Sequence, residues 1–210
     1  MDKSIFTNKK ILFYGPANTN DKETLDINYF DYVIITNNMV NIFFYKYKNL
    51  SCKIIHLSNQ LYSLKYLDTI KKYTNNIEII LVVGKGYEFL KKNINNVNIH
   101  YIKTFTEIEG VPLGLSRILN LLCDQKFKEL YITGVTFYSG NKIEDCYENN
   151  YILKEGKEFN IFKKDKNTHN IPSNIKYTRK ICDSNKNISM CKELHNILYN
   201  QNVQNKPRIN

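Results

Sequence analysis

Long apolar runs and C-x-x-C cysteine pairs are missing from this chain of 210 residues. No segment approaches the roughly 18 consecutive apolar residues that indicate a membrane-spanning helix, and residues 1–6 lack the apolar run of a signal peptide. The five cysteines are an odd number and form no C-x-x-C pair, which argues against a disulfide framework or a zinc site. We therefore expect a cytoplasmic protein, with any membrane contact peripheral and at the inner face.

Common nucleotide-binding and catalytic motifs are missing as well. The chain contains no G-x-x-x-x-G-K-[ST] loop, no G-x-S-x-G elbow and no H-E-x-x-H helix. Gly84 and Gly86 resemble a phosphate-binding turn, but Phe89 stands where the dinucleotide fingerprint requires a third glycine, so an NAD-dependent enzyme is disfavoured. There is also no D-x-D pair to hold a metal across a nucleotide diphosphate. A sugar transferase with this sequence would act without a metal.

Length and charge limit the number of domains and the class of partner. At 210 residues, 42% of them hydrophobic, the chain can bury one substantial core, which predicts a single domain. Lys and Arg exceed Asp and Glu, 30 to 20, and give a net charge of +10. This excess favours an anionic partner, such as a nucleotide, an acidic glycan, nucleic acid or an anionic membrane surface. The lysines are scattered along the chain, however, which also fits a solvated surface.

Short apolar segments alternate with helical patterns along most of the chain. The segments predict strands at 11–14, 32–35, 53–57, 77–83 and within 128–138. Apolar residues at helical spacing predict helices at 39–47, 60–73, 87–92, 113–123, 172–181 and 188–199. Strands that alternate with helices indicate a Rossmann-like α/β fold, which is a mostly parallel sheet with helices on both faces. The polar segment 139–168 is predicted to be a lid-like insertion.

Two residues near the last predicted strand point to chemistry. The segment 128–138 contains Gly134 and ends in Tyr138, and His169 follows the polar segment. Open α/β sheets bind ligands beyond the carboxyl ends of their strands, and an imidazole can take up a proton near neutral pH. A tyrosine in this position is also a common packing residue. The other histidines are predicted to be ordinary core, edge or surface residues: His56, His100 and His195.

Four sequence blocks carry a family resemblance. They are Ile-Leu-Phe-Tyr-Gly-Pro at 11–16, Phe-Asp-Tyr-Val-Ile-Ile-Thr-Asn at 30–37, Gly-Val-Pro-Leu-Gly at 110–114 with Lys-Glu-Leu-Tyr-Ile-Thr-Gly-Val-Thr-Phe-Tyr at 128–138, and His169 ahead of Asn-Ile-Lys at 174–176. In this order the chain resembles the sialyltransferases that use CMP-sialic acid, most closely the small bacterial enzymes and more distantly the animal ones. The blocks span most of residues 10–182.

The resemblance implies a glycosyltransferase of the GT-A-variant type, metal-independent and inverting, that transfers sialic acid or a related sugar from a CMP-sugar to a glycan hydroxyl. His169 would be the base that deprotonates the acceptor. Tyr138 would stabilise the departing phosphate, with Tyr147 or Tyr151 of the lid segment as a second donor. The implied substrate-binding positions are Gly15, Pro16, Asn37, Asn59, Gly114 and Gly134. The two asparagines also suit turns at strand ends.

The resemblance implies the partners too. The expected partners are a nucleotide sugar and a glycan acceptor, in glycan biosynthesis such as lipooligosaccharide or capsule modification. No cofactor and no nucleic acid are expected, and the oligomeric state stays open.

The chain departs from the family pattern at Tyr14, Ile35, Pro112 and Leu113, and Arg179 stands where an acidic residue often appears in the last helix of the family. Pro112 and Leu113 replace small hydroxyl residues that would contact the donor phosphate or carboxylate, so the donor sugar stays open. The alternative function belongs to a different class, a non-catalytic basic module on the same fold that binds a nucleotide or an acidic polymer.

Overall fold

A computed structural model describes residues 5–37, 39–47, 50, 53–103, 105–139 and 168–200 of the chain. Its strands are β1 (Lys10–Tyr14), β2 (Tyr32–Thr36), β3 (Lys53–Leu57), β4 (Ile77–Val82), β5 (Asn98–Tyr101), β6 (Glu129–Thr133) and β7 (Ile188–Met190). They form one sheet in the order β5-β4-β3-β2-β1-β6-β7, and every neighbouring pair is parallel. The predicted Rossmann-like α/β fold is therefore confirmed. The predicted lid, 139–168, falls almost entirely outside the described residues.

Helices cover both faces of this sheet. On one face lie α1 (Met39–Lys46), α2 (Gln60–Lys65), α3 (Leu67–Lys72) and α4 (Gly86–Asn93). On the other lie α5 (Gly114–Leu122), α6 (Ile171–Ser184) and α7 (Lys192–Tyr199). A hydrophobic core lies on each face of the sheet, and successive strand residues point into these two cores alternately. Ile34 thus packs on the α5 side and Ile35 on the α1 side. β2 and β3 are buried along their whole length, which is why both contain consecutive apolar residues, at 33–35 and at 54–55.

Two helix predictions are corrected by the structure. The segment predicted as one helix at 60–73 is two, because Tyr66 leaves the helical conformation (φ −106°, ψ 7°) and buries its ring completely. The helix predicted at 188–199 begins only at Lys192, because Ile188 and Met190 pair with β6. Pairing with a neighbouring strand thus overrides the helical spacing of these residues. Among the helices of the described ranges, none is long and apolar enough to cross a membrane.

The side chain of Asn174 joins the starts of α5 and α6. Its Oδ1 accepts hydrogen bonds from the Leu113 N–H (2.8 Å) and from the Ser116 hydroxyl (2.8 Å), both at the start of α5. Its Nδ2 donates to the carbonyl of Asn170 (2.9 Å), which caps α6. Asn174 is completely buried, so these bonds replace the water contacts that its amide loses on folding. The beginning of α5 is thereby fixed relative to the beginning of α6.

We expect Asn174→Ala to lower the free energy of unfolding by about 1–3 kcal/mol, because the buried Ser116 hydroxyl and the Leu113 N–H lose their acceptor. The control is Ser116→Ala, which removes one donor, leaves the Leu113 bond in place and should cost less. Urea denaturation of both variants measures the difference. Equal costs would contradict the role of Asn174 as the link between the two helices.

Candidate functional site

The polar residues of interest gather at the carboxyl edge of the sheet. α5 and α6 lead into β6 and β7, which are parallel to the other strands, so both helices begin at this edge. Gly114, the first residue of α5, lies against the end of β2, and a Cβ on Gly114 would stand 3.1 Å from the Thr36 methyl group. His169 and Asn170 directly precede α6. The edge therefore brings together four of the predicted site residues: Asn37, Asn59, Gly114 and His169.

His169 is held by the loop that leads into α5. Its Nδ1 lies 2.8 Å from the carbonyl oxygen of Val111. A carbonyl can only accept, so Nδ1 carries the proton and, in the neutral ring, Nε2 is the acceptor. Asn170, the next residue, donates to Glu109 (3.1 Å) and accepts from the Ser173 N–H (3.0 Å) as the cap of α6. These bonds orient the ring with Nε2 as the nitrogen that can take a proton.

The first turn of α5 forms an electropositive corner of the edge. Leu113, its N-cap residue, offers no side-chain cap, so the positive end of the helix dipole faces no side-chain acceptor of that residue. Arg117 lies in the same turn. His56, completely buried in β3 as predicted for a core residue, has a pKa lowered from 6.5 to about 3 by burial and then by the charge of Arg117. The sequence patterns did not single out Arg117, and the available signal was an arginine within the apolar-rich segment 113–123 that predicts a helix.

Asn37 and Asn59 both shape turns at strand ends. The Asn37 Oδ1 accepts from the Ser58 N–H (2.9 Å), and Asn37 has a positive φ of 43°. The Asn59 Oδ1 caps α2 by accepting from the Tyr62 N–H (3.2 Å). The turn role expected for these residues is therefore present. Each also keeps an Nδ2 group that donates to no other residue in the described part of the chain.

Gly15 and Gly134 lie where the strand order reverses, between β1 and β6. The Gly15 N–H donates to the Thr133 carbonyl (2.9 Å), and a Cβ on Gly15 would stand 2.2 Å from the Gly134 carbonyl oxygen. Buried Lys22 donates through Nζ to the Gly15 carbonyl (2.7 Å). Gly15, Gly134 and Lys22 therefore occupy the crevice between β1 and β6, where doubly wound sheets commonly bind ligands. The glycines permit this close contact, and a substrate-binding role for them and for Pro16 stays a prediction.

Tyr138 lies in a tight turn after β6. Phe137 and Tyr138 have positive φ angles of 49° and 56°, and the Ser139 N–H donates to the Thr136 carbonyl (2.9 Å), as in a type I′ turn. Left-handed residues with a Cβ cost about 1–2 kcal/mol each. Phe137 is buried on the α5 face, whereas Tyr138 packs on the α1 face, opposite the α5 loop that holds His169. The two predicted lid tyrosines lie outside the described residues: Tyr147 and Tyr151.

One group of side chains within the described ranges has the composition of a metal site. Asp21, Cys191 and Glu193 place ligand atoms within 4.8 Å of one another. Asp21 already accepts from the hydroxyls of Tyr131 and Thr133, at 2.9 Å each. Burial raises the pKa of the Cys191 thiol, which favours its protonated form, whereas a metal ligand is a thiolate. The group therefore fits a hydrogen-bonded contact between α7 and the segment after β1.

A surface cleft of about 470 Å³ lies at the opposite, amino edge of the sheet. It is lined by the turns that precede β4 and β5, which include Asn75, Asn76, Asn95 and Asn96. Ligands of open α/β sheets bind at the carboxyl edge, and the cleft contains none of the candidate residues.

The carboxyl edge therefore holds an oriented imidazole, a helix start whose N-cap residue supplies no side-chain acceptor, a guanidinium and two amide groups. Together these groups can accept a proton and bind an anion. In comparisons with known proteins, no protein-family model, no curated protein and no solved structure matches this chain.

Proposed function

We propose that the protein is a glycosyltransferase of the sialyltransferase type, one that transfers sialic acid or a related sugar from a CMP-sugar to a glycan hydroxyl. The observation that carries the proposal is the bond between His169 Nδ1 and the Val111 carbonyl (2.8 Å), beside the start of α5. This bond leaves Nε2 as the acceptor nitrogen next to a helix start that favours anions. A transferase that activates a hydroxyl while a phosphate departs needs these two features together.

The proposed reaction is a direct displacement at the anomeric carbon of the donor. An acceptor hydroxyl attacks this carbon, a new C–O bond forms, and the bond to the phosphate oxygen breaks with inversion. The hydroxyl proton passes to Nε2 of His169, and the electron pair of the broken bond leaves with CMP. Because the imidazole is already oriented through Nδ1, the base needs no rearrangement during attack.

The departing phosphate gains negative charge, which hydrogen-bond donors and the positive end of α5 can stabilise. The α5 start lies against the end of β2, beside which Asn37 keeps its unused Nδ2 group. The family resemblance assigns the hydroxyl donor to Tyr138, with Tyr147 or Tyr151 as a second one; because Tyr138 packs on the α1 face, its hydroxyl would have to approach the phosphate from the side opposite the α5 start. A monophosphate leaving group can be stabilised by such donors, so the proposed reaction requires neither a metal nor a cofactor.

The non-catalytic basic module remains the alternative, favoured by the net charge of +10. Its binding would depend on many dispersed lysines and would weaken steeply with salt. It would also show no preference among nucleotide bases. Binding measurements therefore separate the two functions before any transfer assay.

The proposal predicts that CMP binds more tightly than UMP or NAD, and that EDTA leaves the affinity unchanged. Calorimetric titration of the purified protein measures both. His169→Ala should bind CMP nearly as tightly as the wild type, because the base contacts the acceptor rather than the nucleotide. Equal affinities for the three nucleotides, abolished by moderate salt, would contradict the proposal and favour the basic module.

Transfer from CMP-sialic acid should fall by about 10²–10⁴-fold in His169→Ala, since the acceptor hydroxyl loses its proton acceptor. The matched control is His195→Ala, because His195 is exposed on α7 and lies outside the candidate site. The control should retain wild-type turnover. Normal turnover of His169→Ala, with a cytidine preference intact, would remove the assigned base.

The Tyr138→Phe change keeps the packed ring and removes the hydroxyl. We expect kcat to fall by about 10²–10³-fold, the loss typical of a donor to a developing oxyanion, while CMP still binds. Tyr45→Phe is the control, because Tyr45 is an exposed tyrosine of α1. An unchanged kcat for Tyr138→Phe would mean that this tyrosine serves packing alone.

A further inference from the structure

Arg117 is a partly buried cation that lacks a carboxylate partner among the described residues. Its Nε donates to the Pro112 carbonyl (3.2 Å), and its two terminal nitrogens make no hydrogen bond to any residue in the described ranges. Removal from water lowers the pKa of the guanidinium, yet an arginine keeps its charge in proteins. A charge taken out of water without a partner is costly. An anion from outside the chain would supply the missing partner.

The position of Arg117 adds a second source of positive potential. Arg117 belongs to the first turn of α5, because its N–H donates to the carbonyl of the N-cap residue Leu113 (3.1 Å). The helix begins at Gly114, and Leu113 gives it no side-chain cap. The positive end of the helix dipole and the guanidinium charge therefore act at the same point of the carboxyl edge.

A buried polar ring lies next to this point. His56 pairs with Thr36 in the β2–β3 register, so their side chains share one face of the sheet, and the Thr36 methyl group faces Gly114. Both ring nitrogens of His56 lack a hydrogen-bond partner in the described part of the chain, although the residue is completely buried. Its depressed pKa keeps the ring neutral, so one nitrogen is an N–H donor. An unpaired buried donor of this kind is rare in folded proteins and marks this part of the carboxyl edge as unusual.

We propose that Arg117 is the substrate-binding residue that recognises an oxyanion of the donor, either the nucleotide phosphate or the carboxylate of the sugar. A guanidinium binds both groups through paired N–H donors. The inference rests on the proposed function, in which Pro112 and Leu113 replace small hydroxyl residues that would contact these oxygens. Arg117, one turn further along α5, supplies the donors that those two positions lack.

The first test measures urea unfolding of the full chain in inorganic phosphate and in chloride at equal ionic strength, so that specific binding is separated from screening. Phosphate should stabilise the wild type more than Arg117→Met, because its general exclusion from protein surfaces acts on both proteins and only the wild type keeps the guanidinium. The matched control is Arg179→Met, because Arg179 lies on α6 with its guanidinium 5.8 Å from the Tyr199 ring centroid. The control should keep the phosphate response of the wild type.

Unfolding in chloride distinguishes a binding residue from a structural one. Arg117→Met should unfold at the same or a higher urea concentration than the wild type, because it removes a partly buried charge that has no carboxylate partner among the described residues. If Arg117 were a structural residue, Arg117→Met would unfold at a lower urea concentration than the wild type. A destabilised Arg117→Met that responds to phosphate like the wild type would overturn the inference.

A second test identifies which oxyanion is bound. If Arg117 contacts the phosphate, Arg117→Met weakens CMP binding by about 10- to 100-fold and leaves cytidine binding unchanged. If Arg117 contacts the carboxylate, Arg117→Met weakens the binding of CMP-sialic acid by the same factor and leaves the affinity for CMP unchanged. The binding of CMP-sialic acid is measured in a His169→Ala background to prevent turnover. Arg117→Lys keeps the charge without the paired donors and should lose less than Arg117→Met.

The inference and the proposed function fail in different ways. A phosphate response that depends on Arg117, without any preference for cytidine nucleotides, would keep the anion site and remove the sialyltransferase assignment. Cytidine-selective binding that is identical in Arg117→Met and the wild type, for CMP and for CMP-sialic acid, would keep the assignment and overturn the role of Arg117.

Discussion

The candidate site depends on one buried side chain, that of Asn174. Its Oδ1 accepts hydrogen bonds from the Leu113 N–H and the Ser116 hydroxyl, and its Nδ2 donates to the carbonyl of Asn170 at the start of α6. A side-chain amide can satisfy two donors and one acceptor in a space closed to water, which an aliphatic side chain of similar size cannot do. The loop that ends at Leu113 also presents the carbonyl that holds His169. The proposed base and the helix start proposed to bind the anion therefore take their relative positions from the same set of bonds.

In a parallel sheet ligands bind at the carboxyl edge of the strands. Close backbone packing leaves only part of this edge open to a ligand. At the strand reversal, Gly15 and Gly134 bring two backbones into contact, and Lys22 fills the remaining space. The groups with unused hydrogen-bonding capacity lie instead at the ends of β2 and β3 and at the start of α5. The glycines that looked like donor contacts in the sequence thus have a demonstrated structural role, and the chemistry is proposed for the neighbouring strands.

Buried parallel strands were predictable from the sequence because most of their residues on both faces are apolar, as residues 33–35 of β2 and 54–55 of β3 illustrate. The break at Tyr66 and the strand β7 were not, since each depends on contacts with distant residues rather than on local spacing. Within the site, the polar segment before His169 drew attention to that residue, but its bond to Val111 joins residues far apart in the chain. Arg117 was missed for a related reason. Its importance comes from the lack of a nearby carboxylate among the described residues, which is a property of the folded arrangement.

The features assigned to function are also features that weaken the folded chain. Arg117 is a charge without a carboxylate partner in the described structure, His56 has two unpaired nitrogens, and Phe137 and Tyr138 hold left-handed conformations. Proteins are stable by only about 5–15 kcal/mol, so local violations of this kind are expected where a bound group offsets them. Dispersed surface lysines attract any anion weakly and in a salt-dependent way. A partly buried guanidinium beside a helix start differs, because it can select an oxyanion by geometry, and this selectivity is what a donor site requires beyond a net positive charge.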